Sequence, residues 1–207
     1  MRESGVGRVL VASLHQAIAD TLPMRLAFYE SWLTPEGLRD GTIGLGPLYA
    51  VLSFLRQEGD AYGVVAAKAG EYAVEWTVAA MPPMRRRWIG RLPKSIRRRV
   101  LLRRASALVR MSFVGNTVSW RIRRGAARVL VRASVFCEVR EPVAQPLCVF
   151  YSAVFERMAL QFAQPASVSI ASCRAVGDAA CELRVAFGVE QTVSQAEGMP
   201  LSQAEDA

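Results

Sequence analysis

The chain has 207 residues, 52% of them apolar, and a formal net charge of +8, enough apolar material to bury one core and better suited to a single domain over 1–190 than to two. No stretch approaches the roughly 20 uncharged apolar residues of a membrane-spanning helix. The apolar run 9–14 behind Arg2 and Arg8 is too short for a signal-peptide core, so the expectation is a soluble cytoplasmic protein.

Residues 9–22 carry apolar side chains at helical spacing, Pro23 interrupts, and 25–33 resumes the helix with Leu26, Phe28, Tyr29, Trp32 and Leu33. Thr34-Pro35-Glu36 has the form of a helix cap and first turn. Glycines 41, 44 and 46 lead into 48–56, apolar nearly all round and suited to a buried helix. These glycines lack the Lys-Ser/Thr of a phosphate loop, so a turn is the better reading. An Ala-rich helix over 61–80 stops before Pro82-Pro83.

Residues 85–132 hold fifteen Arg and one Lys and no Asp or Glu, which leaves the remainder net acidic. Such a block attracts nucleic acid, anionic lipid, an acidic protein or a carboxylate-bearing ligand. Within it, 95–111 forms a basic amphipathic helix: Ile96, Val100, Leu101, Ala105, Leu108 and Val109 recur on one side. Arg97, Arg98, Arg103 and Arg104 are its candidate anion or partner contacts. The stripe either packs on its own domain or lies on an anionic membrane with Ile96, Val100, Leu101 and Leu108 in the interface. Nucleic acid suits the block less, because few aromatics interleave the basic residues.

Strands follow at 117–122 and 127–139, rich in β-branched and aromatic residues, with Arg123-Arg124-Gly125 as the turn. After a loop marked by Pro142 and Pro146, helical spacing returns over 147–162, and 167–171 pairs with 182–189. The polar stretch 191–207 is expected to be disordered. The fold class is therefore α+β: N-terminal helices packed on a four-stranded antiparallel sheet, with a C-terminal helix between two hairpins.

Cys137, Cys148, Cys173 and Cys181 all fall in the last third of the chain, with no export signal ahead of them; they suit reduced thiols or metal ligands better than disulfides. The pattern Ser134-Val-Phe-Cys137, then Cys148-Val-Phe-Tyr-Ser-Ala-Val-Phe155, then Cys173 to Cys181 around Gly177-Asp178, resembles the 4-vinyl reductase domain. That family includes a protein of bacteriochlorophyll synthesis, ligand-sensing regions of aromatic-responsive activators and vesicle-tethering subunits. The resemblance implies an apolar cavity between helices and sheet.

In the sensing regions three matching cysteines bind zinc with an acidic residue three positions before the second. Here that position is Ile170. Cys148, Cys173 and Cys181 remain a thiol set suited to zinc, with Cys137, Glu138 or Glu182 as the replacement fourth ligand; the alternative is four small buried apolar residues. Trp76, Phe136, Phe150, Tyr151 and Phe155 are candidate liners of the cavity, though aromatics at helical spacing also serve as ordinary core.

His15, the only histidine, lies far in sequence from the cysteines, so catalytic machinery is hard to find. A reductase acting on a tetrapyrrole vinyl group would need a cofactor whose site the sequence does not reveal. The functional expectation is binding of a hydrophobic small molecule (a tetrapyrrole intermediate, another aromatic or a lipid) by a carrier, sensor or accessory protein. The alternative is a zinc-stabilised homodimeric adaptor with no small-molecule ligand.

Overall fold

The computed structural model describes residues 6–188 apart from 124 and 140. Eight helices, α1 (Arg8–Thr21), α2 (Leu26–Glu30), α3 (Pro35–Asp40), α4 (Leu45–Gln57), α5 (Asp60–Ala79), α6 (Pro83–Arg91), α7 (Lys94–Ser112) and α8 (Val149–Leu160), accompany strands β1 (Thr117–Arg123), β2 (Ala126–Arg132), β3 (Ala166–Ser172) and β4 (Cys181–Phe187). The expected α+β class is what the chain adopts. The stretch 191–207 lies outside the described residues.

α5 lies between α1 and α8, and α7 and α8 cover one face of the sheet. α1 contributes Leu10, Val11, Leu14, Ala17 and Ile18 to the core, one apolar stripe at helical period. The α5–α8 contact is close because its residues are small. A Cβ added at Gly70 would lie 2.6 Å from the carbonyl oxygen of Phe150 and 2.9 Å from the Cβ of Ala153, so glycine sets the interhelical distance. Arg157 and Glu75 pair across the same contact. Thr34 caps α3 as its sequence indicates, its Oγ1 accepting from the Gly37 N–H at 3.1 Å, with Pro35 in the first turn.

The sheet is antiparallel in the order β1-β2-β4-β3, so the two hairpins are joined through β2 and β4. Val129 lies opposite Trp120 and Leu183, and Val131 opposite Val118 and Cys181; these side chains face the helices. On the other face Arg121, Arg128 and Arg184 stand in one cross-strand row, with Arg123 and Arg132 also exposed. A single carboxylate, Glu182, serves both Arg128 and Arg184.

Four local expectations are corrected. Residues 25–33 form a 3-10 turn (Pro23–Arg25) and the short α2 rather than one helix, because proline removes a donor at its start. α4 is not buried all round: Leu48, Val51, Leu52 and Leu55 enter the core, while Tyr49 and Phe54 are half-buried. α6, between the prolines at 82–83 and 93, has no counterpart among the expected elements. β2 ends at Arg132 rather than 139, because Ala133 takes a left-handed conformation (φ 54°) and Val135–Cys137 coil into a 3-10 turn.

The apolar stripe of the basic helix packs on its own domain at Leu101 and Leu108, while Ile96 is 49% exposed. Leu101 and Leu108 are 2% and 1% exposed, in the protein's own core, so they are not available to a membrane.

Candidate metal centre

Four short segments deliver the cysteines to one point. Cys137 ends the 3-10 turn after β2, Cys148 immediately precedes α8, Cys173 follows β3, and Cys181 opens β4. All four are free and buried. The Sγ separations are 3.2 Å (Cys137–Cys148), 3.4 Å (Cys137–Cys173), 3.1 Å (Cys148–Cys173) and 3.5 Å (Cys137–Cys181). All pairs lie within 4.8 Å. A disulfide needs about 2.05 Å. Around tetrahedral zinc, with Zn–S of about 2.3 Å, sulfurs stand about 3.8 Å apart, near the spacing of these four.

The turn between Cys173 and Cys181 is built for this placement. Gly177 adopts φ 102°, which only glycine takes without strain. Asp178 then folds back: its Oδ2 accepts from the Cys173 N–H at 2.8 Å, and its own N–H donates to the Cys173 carbonyl at 3.3 Å. The N–H of Arg174 donates to Cys181 Sγ at 3.4 Å, a bond that favours the thiolate. The fourth sulfur of the cluster is that of Cys137. Glu138 lies outside the cluster facing Arg174 at 3.8 Å, Glu182 is on the outer face of the sheet, and Ile170 packs against the core.

The electrostatics divide the four thiols, with Cys137 and Cys148 pushed up and Cys173 and Cys181 pulled down. Hydrogen bonding with Cys137, Cys173 and Cys181, together with burial, pushes the Cys148 thiol far up. Bonds from Cys137, Cys148 and Cys181 pull Cys173 far down. The cluster can thus hold some thiolate charge, but four adjacent thiolates require a soft dication among them. Four buried thiols this close together can hold a metal ion. The residues fit zinc, which Cys137, Cys148, Cys173 and Cys181 would hold; a closed four-sulfur site supplies folding energy and leaves no open position for chemistry.

Ten residues run between Cys137 and Cys148, and their tethers are specific. Arg56 of α4 donates to the carbonyls of Phe136 (3.0 Å) and Glu138 (3.3 Å), the Val143 N–H donates to the Ala175 carbonyl (2.7 Å), and the Tyr62 hydroxyl donates to the Leu147 carbonyl (3.0 Å). Burial, then the neighbouring Cys137, pushes the Tyr62 phenol well up, so it stays a donor. Between this loop and the α4–α5 corner lies a cleft of about 350 Å³, lined by Arg56, Asp60, Tyr62, Val143, Leu147 and Val149 among others. No sequence signal announces this loop's tethers or its cleft.

The candidate ligand-binding aromatics are distributed unevenly. Phe136 stacks on Phe150 (4.8 Å between centroids), both meet Tyr151 edge-on, and all three are fully buried. Phe155 is buried one turn further along α8. Trp76 is elsewhere, stacked on Tyr72 and partly exposed. The Tyr151 hydroxyl, Ser134 Oγ and Asn116 Oδ1 are buried together; burial pushes the phenol up, and the Ser134 and Asn116 side chains act in the opposite direction.

Of the candidate anion contacts, Arg97 is engaged internally, donating to the Leu92 and Phe162 carbonyls. Arg98 lies over the Phe187 ring at 5.2 Å. Arg103 is exposed. Burial, then the adjacent Arg85, pulls the half-buried Arg104 guanidinium down. His15 pairs with Glu30 at 3.0 Å, between α1 and α2.

A segment after a strand delivering one cysteine, a helix starting at a second and a Gly-Asp hairpin carrying two more define an α+β domain with a four-thiol cluster. Residues 128–187 match the family model of the 4-vinyl reductase domain, and that segment contains all four cysteines, α8 and three of the strands. Over that segment the chain is similar to the 4-vinyl reductase domain. No curated protein matches it.

Proposed function

We propose that this protein is a zinc-stabilised binding domain for an apolar small molecule that carries a polar or acidic group. The observation that carries the reading is the cleft beside the thiol cluster, one wall of which is the Cys137–Cys148 loop. Its volume falls at the small end of the roughly 300–1,000 Å³ range of small-molecule pockets. Val143, Leu147 and Val149 offer apolar contact, and Arg56 offers a cation.

A tetrapyrrole intermediate, flat and apolar with acidic substituents, is one ligand of this chemistry, and a role in bacteriochlorophyll synthesis would follow from it. A cleft of about 350 Å³ would take the edge of such a macrocycle and not the whole.

Native mass spectrometry of freshly purified protein tests the proposal. The expected result is one zinc per chain and a small molecule lost when Ala144→Trp fills the cleft. Zinc without any small molecule, and no stabilisation by aromatic or lipid additives, would refute the ligand reading.

One observation favours the homodimeric adaptor. Met24, Phe28 and Trp32 are 95%, 42% and 38% exposed, with Phe28 and Trp32 set against Phe54. Such an apolar patch suits pairing with a second copy. Light scattering that finds a dimer, converted to monomer by Trp32→Glu, supports that reading.

A further inference from the structure

α6 is a helix whose exposure is hard to reconcile with a role in packing alone. Every residue in it except Ile89 is exposed, with Met84 at 82% and Trp88 at 59%. At 100° per residue, Met84, Arg87, Trp88 and Arg91 fall on one side (i, i+3, i+4, i+7), turned away from Ile89. Arg85 flanks them beside Trp88, Lys94 opens α7, and Ile96 in its first turn is 49% exposed. From Trp76 to Cys137 the chain has no Asp or Glu to neutralise these cations.

The unit is also rigidly presented. Prolines lie at both boundaries, and Arg97 ties the α6–α7 corner through the Leu92 carbonyl while reaching the Phe162 carbonyl at the end of α8.

We infer that the α6 face is a docking surface for an anionic lipid bilayer, with Trp88 and Met84 entering the headgroup boundary and Arg85, Arg87, Arg91 and Lys94 facing lipid phosphates. Charge complementarity and the two apolar side chains point to the same occupant. Indole rings prefer the membrane–water boundary, and arginine clusters gather at anionic leaflets. A nucleic-acid backbone would use the arginines but leave Met84 unused, and one tryptophan makes a poor stacking platform. Among the described residues no helix is long and apolar enough to cross a membrane, so the contact is peripheral.

Flotation of the zinc-loaded full chain with vesicles of phosphatidylcholine, alone and mixed with phosphatidylglycerol, tests the surface. Binding is expected only to the mixed vesicles and should weaken as salt rises. Arg87→Ala and Arg91→Ala should each lower partitioning about fivefold. Trp88→Ser combined with Met84→Ser should lower it about tenfold or more. All four side chains are exposed, so fold and zinc content stay intact; both are measured alongside. Arg121→Ala, on the outer face of the sheet, should leave partitioning unchanged.

Equal binding to both vesicle types overturns the assignment. So does binding that the Trp88 and Met84 variants leave unchanged, which would reduce the contact to unspecific charge. Absence of vesicle binding, with or without retention of single-stranded RNA, overturns it as well.

Discussion

Replacing Gly70 by alanine should weaken the cysteine cluster from a distance. In an ordinary helix the change would gain up to about 1 kcal/mol in propensity. Here the new methyl carbon would stand 2.6 Å from the Phe150 carbonyl oxygen, against an ordinary contact limit of about 3.4 Å, so the start of α8 must retreat by roughly 0.8 Å. Overpacking of that kind costs about 1–3 kcal/mol, which offsets the propensity gain and leaves a net loss of up to about 2 kcal/mol. In a chain of this size that lowers Tm by up to about 8 °C.

Phe150 is two residues from Cys148, so the retreat pulls one sulfur away from a site that tolerates about 0.2 Å. Zinc affinity measured by competition with a chromophoric chelator should fall, together with the midpoint in urea. Gly63→Ala lies in the same helix, where an added Cβ meets nothing within 4 Å. It should be neutral or stabilising, with zinc affinity intact. A Gly70→Ala protein as stable as its parent and equally tight for zinc would refute the claim that this close contact positions Cys148.

Cys137→Ser should reduce zinc to well below one per chain by elemental analysis, whereas Glu138→Gln and Glu182→Gln should retain it. Tyr62→Phe leaves the Leu147 carbonyl without its donor and should cost about 1–3 kcal/mol in chemical denaturation. Thr34→Ala removes the α3 cap and should cost about 1 kcal/mol. Burial, then Glu58, raises the Tyr29 phenol to about 12 from the ordinary 10.0. A pKa raised in the folded state gives stability present below pH 10 and lost as pH climbs toward 12, because the unfolded chain releases the proton first. Tyr29→Phe should remove that part of the alkaline decline in a pH series of urea midpoints.

The centre is more legible in the sequence than its surroundings. Spacing and the Gly177-Asp178 turn mark Cys173 and Cys181 as a pair, since a tight hairpin brings its ends together whatever packs around it, and Cys148 joins them only through the resemblance to the 4-vinyl reductase domain. The fourth donor stays one of three at that level, because choosing Cys137 over Glu138 depends on where β2 stops. The run Val135-Phe136 has strand-like composition, and only the left-handed turn at Ala133 reveals that it coils inward.

Trp76 groups with Phe136 and Phe150 in the sequence because periodicity gives a helix its faces without saying which neighbour each meets. α6 is invisible there because nine residues with four arginines contain one core side chain, too little to establish a period. The cleft depends on contacts such as Arg56 to Phe136, eighty positions apart in sequence, and no local pattern encodes them.

The arginine row on the outer face of the sheet bears on how the protein behaves in crowded solution. Bare sheets stack readily, and this one presents alanines, serines and Leu130 that could meet their like on a neighbouring molecule. Like charge there outnumbers the lone Glu182, so two such faces repel until ions intervene. The protein should remain dispersed at low ionic strength and self-associate as salt shortens the reach of that repulsion to about 3 Å near 1 M, the reverse of what an assembly held by ion pairs would do.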